Sequence, residues 1–106
     1  MITFPDFQKI KIKICKIIIA EKIPDTKKLL RLEVDLGDEK RQIIAGIANY
    51  FDPKDLIGKQ VPVIVNLEPK ILHGLQSQGM ILIVDKGDSL SLLSPEQEVP
   101  LGSNVC

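Results

Sequence analysis

Between Asn66 and Met80 the chain reads N-L-E-P-K-I-L-H-G-L-Q-S-Q-G-M, and the side chains gathered there suit the capture of a polar or anionic ligand. Lys70 offers a mobile positive charge for a phosphate, or it is a solvated loop lysine. The Ser77 hydroxyl and nearby N–H groups can meet a phosphate or ribose where Gly79 lets the backbone approach closely. The competing reading for Ser77 and Gly79 is a bulge leading into the next strand. Met80 is polarizable enough to lie against a base or sugar, and equally able to fill a core. Asn66 either contacts a ligand or holds this connection through side-chain-to-backbone bonds. A second group, Lys27, Lys28 and Arg31, supplies the strongest local positive charge, and Arg41 is a candidate to join it.

Several chemistries have no residues to carry them. His73 is solitary, without an acid or thiol at ligand or triad spacing. Cys15 and Cys106 form no metal-binding spacing, and Cys15, set among alternating Ile and Lys, reads as a small buried hydrophobe. No phosphate-cradling glycine loop or convergent carboxylate pair is present. The chain is therefore expected to be a binding module, with no catalytic residues, no metal and no cofactor.

The elements that must hold these residues are short strands. Ile10, Ile12 and Ile14 alternate with lysines, and the phase breaks at Ile17-Ile18-Ile19, as in a bulged and bent first strand running toward Ile23. Pro5–Lys9 predicts a short opening helix. Leu30, Leu32, Val34 and Leu36 point inward along a second strand, with Arg31, Glu33 and Asp35 outward. Gly37–Lys40 is a hairpin connection to a third strand, Arg41–Ala45. Asp52 caps a short helix with Pro53 at its first position and Gly58 at its end. Val61–Val65 and Met80–Val84 make strands four and five, and Leu90–Leu93 opens a Pro-punctuated tail.

Three strands, a short helix and two strands is the element order of the OB-fold, a five-stranded all-β Greek-key barrel. Its ligand face lies over strands two and three, flanked by the first-to-second and fourth-to-fifth connections. Here those are Lys22–Lys28 and Asn66–Gly79, so the basic and the polar segments converge. Leu29–Leu36 and Arg41–Ala45 contain no aromatic residue, unlike single-strand binders that stack bases. Recognition of backbone and shape in a folded RNA fits this face better.

At 106 residues the chain fits one domain, residues 1–106. Its 14 basic and 14 acidic residues balance, yet Lys9–Arg31 holds eight Lys or Arg against Glu21 and Asp25. That asymmetry suits an anionic partner on one face, or a lysine-rich strand facing water. Overall neutrality argues against strong non-specific binding. No signal peptide or membrane span is read, so a reduced cytoplasmic setting is expected.

The segments D-F with the following K-I-K-I, K-L-L-R-L with V-D-L-G, R-Q-I-I-A-G-I, N-L-E-P-K, S-Q-G-M-I-L and V-P-L-G-S stand in register across the chain. Together they resemble the tRNA-binding domain at the C-terminus of many bacterial methionyl-tRNA synthetases. The same domain occurs as free-standing structure-specific tRNA-binding proteins. The resemblance implies an OB-fold homodimer that binds tRNA by shape, alone or with an aminoacyl-tRNA synthetase, and no membrane partner. With the electrostatic candidates above, the expected tRNA-binding set is Lys13, Lys27, Lys28, Arg31, Arg41, Asn66, Lys70, Ser77, Gly79 and Met80. Family members often carry Arg and Gly where this chain has Lys13 and Cys15, and Ser in place of Ala45. A related OB-fold branch acts as an export-linked chaperone, the rival expectation. That branch generally lacks the S-x-G-M piece found at Ser77–Met80.

Overall fold

Residues 1–106 are described by a computed structural model. Alternation of apolar and polar residues produces the strands, and one long strand organises them. β1 (Ile12–Lys22) pairs antiparallel with β2 (Leu30–Asp35) along one half and with β4 (Gln60–Ile64) along the other. Its register slips between Ile17 and Ile19, the expected bulge, which lets one strand serve both neighbours of a curled sheet. β3 (Lys40–Ala45) extends the sheet beyond β2, and β7 (Met80–Ile81) extends it beyond β4. The order β3-β2-β1-β4-β7 curls into an OB-type half-barrel.

The interior is aliphatic. Ile17, Leu30, Leu32, Val34, Ile43, Val61 and Val63 are essentially fully buried, and Leu56 plugs the same core from the short helix α2 (Pro53–Leu56). Asp52 caps α2 by accepting from the Lys54 N–H at 3.2 Å. The opening helix α1 (Phe4–Gln8) starts on a Thr3/Asp6 capping box and buries none of its residues.

Two expectations are corrected. Asn66–Gly79 is not an irregular connection: it holds a hairpin of β5 (Lys70–Leu72) and β6 (Leu75–Ser77). His73 (φ 50°) and Gly74 (φ 77°) form its two-residue turn, the positive-φ pair that matches strand twist. Nor is Met80–Val84 one strand. β7 ends at Ile81, Leu82 donates its N–H to the Pro62 carbonyl at 3.0 Å, and β8 (Ile83–Asp85) leaves to pair with β9 (Leu90–Leu92). The chain then returns over β1, where β10 (Asn104–Val105) pairs with Ile12 and Lys13. The Gln60 side-chain amide clasps Val99 on both sides, at 2.7 and 3.0 Å.

Candidate nucleic-acid interface

Strand parity decides which way each candidate faces. Arg31 sits across from Ile44 on the outer face of the sheet, whereas Arg41 sits across from the fully buried Val34. The two arginines therefore occupy opposite faces of the β2–β3 ribbon. Arg41 closes one end of the barrel: its guanidinium donates to the carbonyls of Val65 and Gln78 and pairs with Glu39 at 2.7 Å. Lys13 shares the inner side of β1 with Cys15, opposite Val63. Burial pushes the Cys15 thiol up to about 11, moderated by the positive charges of Arg41 and Lys13. Lys13 and Arg41 thus act at the barrel end, apart from the lysines of the β1–β2 loop.

Asn66 belongs to that end as well. Its Oδ1 accepts from the Lys11 N–H at 2.8 Å and its Nδ2 donates to the Lys9 carbonyl at 2.6 Å. Both arms of the amide engage the segment that precedes β1 and not the connection to which Asn66 itself belongs.

The outer face carries the rest. Lys27 and Lys28 are exposed and make no ion pair. Arg31 lies between Glu21, whose Oε1 it meets at 2.6 Å, and the Gln42 side chain, whose Oε1 accepts from its Nη1 at 3.3 Å. Gln42 reaches onward to the Gln76 carbonyl at 2.8 Å. A continuous run of polar contacts therefore ties β1, β2 and β3 to the β5–β6 hairpin. Gln42 and Gln76 were missed from sequence, since an amide on a strand carries no distinctive spacing.

Beside this run, Ile44, Lys70, Leu72 and Met80 line a groove of about 320 Å³. Lys70 is exposed and Met80 is 47% exposed, so Met80 presents its thioether to solvent instead of packing inward. Ser77 and Gly79 form the floor. The Ser77 hydroxyl is buried, accepts from the Ile44 N–H at 3.0 Å and donates to the Gly79 carbonyl at 3.3 Å. At Gly79 a Cβ would stand 2.7 Å from the Ile64 carbonyl oxygen and 3.0 Å from Ile43 Cδ1, so only glycine lets β7 lie this close. Gln78 completes the seam between β3 and the hairpin: its N–H donates to the Gln42 carbonyl and its Oε1 accepts from the Gln42 N–H. The S-Q-G-M piece closes the barrel and shapes the groove with the same atoms.

Charge on this face is balanced. Across β1–β3 the outward rows run Lys16, Asp35, Lys40, then Ile19, Glu33, Gln42, then Glu21, Arg31, Ile44. No three His, Cys, Asp or Glu side chains gather in a way that would hold a metal. No helix is long and apolar enough to cross a membrane.

Known proteins are similar to this chain in sequence and in fold. A methionine–tRNA ligase of Methanococcus aeolicus is 47% identical over the full chain, and one of Thermotoga maritima is 49% identical over 98% of it. The chain spans 16% of the length of either ligase. Among solved structures, a MetRS-related protein from Pyrococcus horikoshii superposes with a TM-score of 0.95 at 39% identity, covering 100% of this chain and 98% of that one. The chaperone CsaA from Bacillus anthracis follows at 0.89 and 33% identity, over 100% and 99% of the two chains. The family model described as "Putative tRNA binding domain" matches residues 12–104. The chain belongs to that tRNA-binding domain family.

Proposed function

We propose that the chain is a cytoplasmic, non-catalytic module that captures the folded body of tRNA, alone or in association with an aminoacyl-tRNA synthetase. The observation that carries this reading is the meeting of Arg31 with the β5–β6 hairpin through Gln42, beside a groove that exposes Lys70 and Met80. Lys27 and Lys28, in the loop that leads into β2, are exposed and make no ion pair. Phosphate contacts from these side chains would supply affinity, and the rigid groove would supply shape. Without an aromatic platform on β2 or β3, splayed single strands gain no stacking here.

Two copies would act together. Phe4, Phe7, Ile10 and Val105 border an apolar cleft of about 280 Å³ at the α1–β10 edge, far richer in exposed apolar side chains than solvent favours. A two-fold dimer burying on the order of 1,200–2,000 Å² would cover it and offer two copies of the binding face to one RNA. Sedimentation at micromolar concentration should then give twice the 11.8 kDa chain mass.

The likeness to CsaA, named a chaperone, favours a second reading in which the same groove holds an unfolded peptide. A titration separates the two. Folded tRNA should bind more tightly than heat-denatured tRNA, poly-U of equal length or an unfolded peptide. Its log affinity should fall with log salt by about 0.7–0.9 per phosphate neutralised. Equal affinity for poly-U and folded tRNA, or preference for the peptide, would overturn it.

A further inference from the structure

The outer face of β1–β3 holds as many carboxylates as cations, and their placement is selective. Asp35 accepts from the Gly37 N–H at 2.8 Å and sits in a row between Lys16 and Lys40. Glu21 and Glu33 have no such structural duty to the turns. Glu21, 55% exposed, lies directly on Arg31. Glu33, between Ile19 and Gln42, makes no ion pair at all. We infer that Glu21 and Glu33 are specificity-determining residues that repel polyanions unable to engage the whole surface, so that only a correctly shaped RNA is held.

This inference rests on the tRNA-binding reading and deepens it. A flexible polyanion samples the surface locally, and its phosphates near Arg31 also meet two carboxylates. A rigid folded RNA anchored at Lys27, Lys28 and Lys70 keeps its phosphates at fixed distances and is spared part of that repulsion. Partners are separated as much by penalties against the wrong one as by attraction for the right one. Within a Debye length of about 10 Å at 0.1 M salt, the carboxylates are close enough to matter.

Glu21→Gln and Glu33→Gln keep an oxygen acceptor and remove the charge. Measured on the full chain at 0.1 M salt, each should raise affinity for poly-U and heparin about two- to five-fold, the range expected for an exposed charge interaction. Folded tRNA should gain less, so its advantage over poly-U narrows, most in the double variant. In an Arg31→Ala background the Glu21→Gln gain should persist, which separates repulsion from the release of Arg31. Variants that bind poly-U and heparin no better than the parent, or that gain equally for folded tRNA, would overturn the inference. If the parent shows no preference for folded tRNA while the variants gain on heparin, the tRNA reading fails and the repulsion by these carboxylates stands.

Discussion

The hydroxyl of Ser77 takes the place of a backbone carbonyl for Ile44, accepting its N–H at 3.0 Å on the side of β3 away from β2. Because the group is buried, its loss strands a donor that water does not reach. Ser77→Ala should therefore cost about 1–3 kcal/mol in urea unfolding. A variant that lost tRNA affinity with unchanged stability would identify Ser77 as chiefly a ligand contact.

Asn66 holds Lys9 and Lys11 at once, so Asn66→Ala should free residues 1–11. Hydrogen exchange should accelerate at Lys11 and along α1, while the core strands keep their protection. The cost should be about 0.5–1.5 kcal/mol per hydrogen bond lost. Unchanged exchange at Lys11 would mean the clamp is dispensable.

The side chains of Lys27 and Lys28 make no ion pair, which makes them a cleaner test of binding than Arg31. Replacing both by Ala should weaken tRNA binding and lower the log–log salt slope by about 1.4–1.8, two phosphates' worth. Stability should move by no more than about 0.5 kcal/mol. A slope equal to that of the parent would place the phosphates elsewhere.

Cys15 is a neutral thiol in its buried site, raised to about 11 from 9.0. Its contribution to stability is fully present below pH 9.0 and is lost as pH rises toward 11, because the unfolded thiol ionises first. At pH 8, iodoacetamide should label one cysteine per folded chain, the exposed Cys106, and two after denaturation. Cys106→Ser should abolish labelling of the folded protein. Rapid labelling of Cys15 in that variant would show that the barrel opens readily.

The barrel strands were legible because their periodicity is clean. Leu30, Leu32 and Val34 alternate with Arg31, Glu33 and Asp35, and every inward member is buried. The bulge in β1 was legible from the loss of alternation at Ile17-Ile18-Ile19. The β5–β6 hairpin was not, since three-residue strands give too few alternations to count. Its signal was the dipeptide His73-Gly74, flanked by Leu72 and Leu75, whose turn geometry needs two left-handed residues. Arg41 was also readable in principle, because it shares parity with buried Ile43 and so must face inward. Where each polar side chain spends its hydrogen bonds, as at Ser77 and Asn66, depends on distant strands and leaves no local trace.

The return of the tail to β1 gives the molecule a temporal order. Ile14 exchanges hydrogen bonds with Gly102 and Ser103, and Ile12 faces Val105. On the ribosome, β1 emerges well before the segment that covers this edge, and of its strand partners only that segment is still to come after β2 and β4. Contacts of such wide separation in sequence close slowly, and an unsealed strand edge invites pairing with a neighbouring chain. The Ile12–Ile14 edge of β1 therefore stays open until residues 102–105 dock, and in that interval it is exposed to pairing with other chains.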